Sequence, residues 1–368
     1  MLLIFLILIF QSHSITASFH CLGNCTTSPR PVNIKSGAAL CGGHMYPGVT
    51  KPTDDNVYLW MMSRINGGNV VILTADAEDT PCDLYNEYIY SNLTYTTTIK
   101  RPRSVTTICF ASRNTSFLPE TSLLLQNAAA VFITGGDQAK YYKYWQNSPV
   151  SRLMLNVPVI GGSSAGLAVQ GQFVFDALNG GVDSELALKY PMDSEITLTN
   201  NLFHTFRYML HVLTDTHFYQ RDRMGRMMTF LARATKNKWG DNKNNDTQDV
   251  PVGILGVAIS EHSAVLLDGE TGKSTIVGDG PVYFLQPTPL VQPEVCEEGR
   301  PLTFENVTVR KWADGGGGGG GGGGSSSVES FDFNFNGWIS SDNLLEYKLS
   351  ALEGVLKSST GNIYGSEN

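Results

Sequence analysis

Ser164 lies in Gly162-Ser163-Ser164-Ala165-Gly166, a G-x-S-x-G pattern placed after the apolar run Val157-Pro-Val-Ile160 and before a helix-like segment. Small residues let a strand turn sharply into a helix and push the serine hydroxyl outward. The helix start then offers backbone N–H groups where an oxyanion would form. Taken alone, the pattern equally describes a plain strand-to-helix connection. A serine nucleophile also needs a base, and the chain holds seven histidines. His217 stands out by its company, Asp215-Thr-His-Phe-Tyr-Gln-Arg-Asp-Arg-Met-Gly-Arg226. Arg221, Arg223 and Arg226 would bind carboxylates beside that base, since guanidinium groups pair with them bidentately. The plainer reading is a solvated helix start in which Asp222 pairs the arginines. A third segment, Val131-Phe-Ile-Thr-Gly-Gly-Asp-Gln138, reads as a strand ending in two glycines. Gly135 or Gly136 could turn a backbone N–H toward an oxyanion, and Gln138 could meet substrate. The carboxyl end of a parallel strand is where open α/β sheets bind ligands.

The elements that would carry these residues are legible as alternation. Val70–Thr74, Val105–Ala111, Ala128–Thr134 and Val157–Ile160 are continuous apolar runs, as expected of strands covered on both faces. Helix-like stretches such as Pro119–Gln126 and Lys140–Trp145 separate them. Strand–helix alternation predicts an α/β fold with a mostly parallel central sheet flanked by helices. Val252–Ile259, Ala264–Leu267, Ser274–Val277 and Val282–Leu285 are short, with turn signals between them, and read as hairpins finishing one edge of that sheet. Ten consecutive glycines occupy 315–324. They have no side chain to bury and much backbone entropy to lose, so 313–328 reads as a flexible insertion. Beyond it, Phe331–Trp338 alternates like a strand, so residues 329–368 are expected to complete the domain.

Composition bounds the function. The 368 residues carry a net charge of −8, with no long basic run. A nucleic-acid scaffold and a polybasic membrane binder are excluded on that ground. No catalytic metal or cofactor is expected, because no His/Cys/Asp/Glu group has ligand spacing. Residues 1–17 open with about ten apolar residues and continue into small ones, which predicts a signal peptide. Six cysteines follow it, an even number suited to disulfides in an oxidising lumen. Five sequons, at Asn24, Asn92, Asn114, Asn245 and Asn306, predict surface glycans. The chain is expected to be secreted or lumenal. No other stretch is long and apolar enough to predict a transmembrane helix.

In order along the chain, TGGDQ (134–138), GGSSAGLAV (161–169) and DTHFYQRDRMGR (215–226) resemble the cyanophycinase-like serine peptidases, which are related to the aspartyl dipeptidases. The resemblance runs from about Gly67 to about Leu285. It implies a class I glutamine amidotransferase-like fold with a peptidase domain over 67–312, preceded by a cysteine-bearing extension over 18–66. It further implies Ser164 as nucleophile, His217 as base, and oxyanion donors at Ala165 and at Gly135 or Gly136. Gln138, Arg221, Arg223 and Arg226 match positions that build or support the substrate site. The triad acid is expected between serine and histidine: Glu185, with Asp183 and Asp176 as competitors. The segment Ile259-Ser260-Glu261 departs from the acidic pair expected of a typical relative.

These observations predict a serine-type peptidase acting at or near aspartyl residues through an acyl-enzyme, with an acidic peptide as partner and a homodimer as one possible assembly. Two other classes are open: an inactive binding glycoprotein on the same fold, and an esterase-like hydrolase with the same serine motif.

Overall fold

The computed structural model describes residues 17–25, 28–45, 52–75, 82–93, 98–200, 202–203, 207–241, 253–312, 329–333, 339–340 and 344–365. The decaglycine run, Asn245 and the signal-like residues up to 16 lie outside them.

The strands follow in chain order as β1 (Ser18–Gly23), β2 (Gly37–Cys41), β3 (Asn69–Thr74), β4 (Ser104–Cys109), β5 (Ala128–Ile133) and β6 (Val159–Ser163). Next come β7 (Phe173–Phe175), β8 (Leu198–Asn200), β9 (Val212–Asp215), β10 (Leu255–Ile259), β11 (Ser263–Asp268) and β12 (Lys273–Gly278). The last are β13 (Val282–Gln286), β14 (Phe304–Trp312), β15 (Glu329–Phe333), β16 (Ile339–Ser340), β17 (Leu345–Leu352) and β18 (Val355–Ser358). The α-helices are α1 (Pro52–Arg64), α2 (Leu84–Glu87), α3 (Pro119–Asn127), α4 (Gln138–Trp145), α5 (Pro149–Met154), α6 (Ala165–Ala168), α7 (Ser184–Lys189) and α8 (Met224–Lys236).

Two sheets replace the single sheet expected from sequence. The first has the order β1-β4-β3-β5-β6-β2-β11-β12-β15-β16, the second β18-β17-β14-β13-β10-β9-β7-β8. Parallel pairing is confined to the middle of each: β4-β3-β5-β6-β2 in the first, β10-β9-β7 in the second. The flanks are antiparallel. The four late strands read as edge hairpins also divide. β11 and β12 pair beside β2, while β10 and β13 build the second sheet. Continuous apolar runs show that a strand is covered, not which sheet it joins.

The alternation of side chains across each strand explains the layering. Ala38, Leu40, Val71 and Leu73 join one core with Val212, Val257, Ile259 and Phe284 of the second sheet. Their neighbours Ala39, Cys41, Val70 and Ile72 face the other way, onto residues of α1 such as Tyr58 and Met61. The far face of the second sheet packs on α8, through Met227, Phe230 and Leu231. The extension drawn over 18–66 is therefore not an appendage. It supplies β2, fully buried between β6 and β11.

Cys21–Cys25 and Cys82–Cys109 form disulfides, while Cys41 and Cys296 are buried outside these bridges. Asn24, Asn92, Asn114 and Asn306 are exposed.

Candidate active site

Parallel register brings distant residues to one place. Cys41 of β2 is level with Ser163 of β6, so the chains leaving both strands run side by side. Ser164 N–H donates to the Cys41 carbonyl at 3.2 Å. In the second sheet Asp215 of β9 is level with Ala258 of β10. The next few residues of each, His217 and Glu261, therefore emerge at one edge.

Ser164 occupies the sharp turn between β6 and α6, at φ 54 and ψ −118. That backbone region is costly for a residue with a Cβ and persists only where its surroundings fix it. Here α6 lies hard against β5. A Cβ on Gly166 would fall 2.1 Å from the Ile133 carbonyl oxygen. Ser164 Oγ stands 2.6 Å from His217 Nε2, and His217 Nδ1 stands 2.6 Å from Glu261 Oε1. A neutral imidazole carrying its proton on Nδ1 donates to Glu261 and accepts from the serine hydroxyl.

Burial pushes the His217 pKa down, the nearby Arg221 and Arg223 charges add to this, and the Glu261 contact opposes it. The imidazole is thus kept neutral, as a base must be. Burial alone would raise the Glu261 pKa, but the hydrogen bond and charge of His217, with His44 and Arg221, bring it below the usual carboxylate range.

His217 is seated by β2's exit. Its N–H donates to the Gly42 carbonyl at 2.8 Å. Gly43, at φ +144, leaves the space its ring fills: a Cβ there would lie 2.3 Å from His217 Cε1. Gly43→Ala is expected to cut kcat by about 100-fold or more, because a displacement of about 1 Å at the reacting groups has that effect. Unchanged turnover by the variant would show that the ring can move without losing alignment.

The sequence-predicted residues divide. Ser164 and His217 meet. Ala165 opens α6, and the first N–H groups of a helix have no intrahelical acceptor. Gly135 lies over the serine, its added Cβ 3.5 Å from Ser164 Cβ, and Gly136 follows at φ 129. Gln138 is the first residue of α4, and its Nε2 donates to the Phe175 carbonyl at 3.4 Å.

Glu185 is not brought to the histidine. It is exposed on α7, whose N-cap is Asp183. Asp176 is buried and accepts from Thr199 Oγ1 and the Leu178 N–H. The carboxylate at His217 is Glu261, which sequence reasoning passed over because it looked between serine and histidine. The usable signal was an acid just past the apolar run 252–259.

The arginines also part company. Arg226 is buried and grips Asp215 with two nitrogens. Arg223 donates to the Thr216 carbonyl at 2.7 Å and to its hydroxyl at 3.0 Å. Both brace the turn that carries His217. Arg221 is exposed and makes no ion pair among the described residues.

Asp215→Ala is expected to destabilise the fold by about 3–5 kcal/mol, since it leaves Arg226 charged and buried. Denaturant unfolding checks this, with Asp215→Ala/Arg226→Leu expected to recover part of the loss. Equal stability of all three proteins would overturn the brace.

The strand ends of this α/β protein thus gather Ser164, His217 and Glu261 into one hydrogen-bonded chain. In sequence the chain is cyanophycinase-like. It is 26 % identical over 190 residues to the cyanophycinase of Trichormus variabilis, a match covering 50 % of this chain and 54 % of that protein. The figures for the cyanophycinase of a Nostoc species are the same. The chain thus spans about half the length of the curated relatives it matches. A peptidase from an acI-B1 Actinobacterium superposes with a TM-score of 0.46 at 15 % identity, covering 68 % of this chain and 91 % of that one. No protein-family model matches the chain.

Proposed function

We propose that the chain is a serine-type peptidase cleaving at or near acidic, aspartyl-type residues. The observation that carries this is the relay from Ser164 Oγ through His217 to Glu261, with both contacts at 2.6 Å. Ser164 Oγ attacks the peptide carbonyl as His217 Nε2 takes its proton. Glu261 holds the Nδ1–H tautomer and stabilises the imidazolium that forms. The N–H groups of Ala165 and of Gly135 or Gly136 receive the oxyanion. His217 then protonates the leaving amine, and water releases the acyl group by the same path in reverse. Arg221 supports the acidic preference, as an exposed guanidinium whose charge bears on both His217 and Glu261.

The test combines a fluorophosphonate probe with a peptide panel. Adduct on Ser164, together with hydrolysis of aspartyl or β-aspartyl peptides, is the expected result. Neither adduct nor turnover would sink the proposal. Arg221→Ala is expected to raise KM for acidic peptides about tenfold, the worth of one charge-assisted contact, with little change for neutral ones. An equal change for both would remove Arg221 from recognition.

We further infer passage through the secretory route. The two disulfides and the four exposed sequon asparagines support it. Glycopeptide mapping of protein made in a eukaryotic secretory host checks it, and unmodified asparagines at all four sites would count against it.

A further inference from the structure

The relay carboxylate faces two imidazoles. Glu261 Oε1 stands 2.6 Å from His217 Nδ1 and 3.1 Å from His44 Nε2. Ligand atoms of His44, His217 and Glu261 all lie within 4.8 Å of one another. The two rings meet edge to face, with centroids 5.5 Å apart. His44 follows β2 at φ 57, a left-handed conformation that few residues with a Cβ adopt. His262, also at positive φ, stacks on it at 5.6 Å. His44 is thus set against the carboxylate by two strained turns. Its side chain is 42 % exposed and that of His217 only 6 %, so the cluster opens to solvent on the side away from the serine base.

We propose that His44, Glu261 and His217 Nδ1 form an inhibitory zinc site on the relay. Two imidazole nitrogens and one carboxylate are a donor set suited to Zn²⁺, with solvent as a fourth ligand. Donors bound at 2.0–2.2 Å in a tetrahedral site stand roughly 3.3 Å apart. The 3.1 Å contact already matches that spacing. The 2.6 Å contact opens by less than about 1 Å as the ion takes the place of the Nδ1 proton.

The inference rests on the serine-peptidase reading for its effect on activity, though not for the binding itself. Protons balance as follows. In the free site the neutral ring of His217 carries one proton on Nδ1, and its Nε2 lone pair faces Ser164. When zinc binds, each ring keeps its one proton but moves it through solvent to the other nitrogen: His217 from Nδ1 to Nε2, and His44 from the Nε2 that faced the carboxylate to Nδ1. His217 Nε2–H then donates to Ser164 Oγ and has no lone pair left to accept the serine proton. The nucleophile is silenced by the wrong tautomer, and no bond to serine forms or breaks. Mg²⁺ and Ca²⁺ prefer oxygen ligands and should leave the site alone. The positive charges of Arg221 and Arg223 oppose the ion and weaken its binding.

The test uses the full chain in metal-free buffer. Zinc sulfate is titrated calorimetrically into wild type, His44→Asn and His44→Gly. Both substitutes tolerate the left-handed backbone at position 44. Fluorophosphonate labelling of Ser164 is read in parallel as the ratio of rates without and with zinc, for each protein against itself. One zinc per chain, at least about tenfold weaker in both variants, with wild-type labelling suppressed more than that of the variants, is the expected result. No binding, equal binding in the variants, or equal suppression of all three would overturn the site. Labelling of wild type in metal-free buffer reports on the peptidase proposal alone, so the two can fail separately. Bound zinc lost on His44 substitution would establish the site even in a chain whose serine never labels.

Discussion

Ser164→Ala and His217→Ala are each expected to lower kcat/KM for a cleaved peptide by about 10⁶-fold, and the double variant to lose little more. In the proposed mechanism Oγ attacks and Nε2, 2.6 Å away, takes its proton. Neither does its share alone, so their losses should not add. What remains should come from the oxyanion donors and from binding, which neither substitution touches. A double variant whose loss equals the product of the single losses would mean that the two side chains act independently and that the 2.6 Å contact is not the proton path.

Glu261→Gln is expected to cost about 10⁴-fold in kcat, with the geometry kept. The amide matches the carboxylate in size but can neither stabilise the imidazolium nor hold Nδ1–H as firmly. Glu185→Gln is expected to leave kcat unchanged, because Glu185 is exposed on α7 and the carboxylate at His217 belongs to Glu261. The reverse outcome, full activity without Glu261 and loss without Glu185, would require a conformation other than the one described. The pair of variants therefore decides which acid serves the histidine.

Serine and histidine were legible because each sits in a local pattern: small residues around a turn for Ser164, and an unusual density of charge for His217. Glu261 has no local signature. Its place follows from the level pairing of β9 with β10, which no window of sequence contains. Looking for the acid between serine and histidine pointed to Glu185, a residue whose helix start is organised by Asp183 instead. The strands β3 and β5 were readable as apolar runs. Strand β2 is five residues long and begins Gly-Ala-Ala, too little to stand out, yet the carbonyls of Cys41 at its end and of Gly42 just beyond hold the backbones of Ser164 and His217. Arg226 reads in sequence as one of three guanidinium groups that would bind substrate carboxylates. Only burial against Asp215 shows it to be a brace.

The proposed nucleophile and base belong to different sheets: Ser164 leaves β6 of the first, whereas His217 and Glu261 leave β9 and β10 of the second. Their alignment is thus a measurement of how two layers sit on one another, taken across the shared core of Leu40, Ile133, Val257 and Ile259. A slip of about 1 Å between layers would part hydroxyl from imidazole while each sheet kept its own ladder of hydrogen bonds. Turnover should then behave as a sensitive gauge of the seam. On warming, activity would fade before the strands of either sheet lose their protection from solvent exchange.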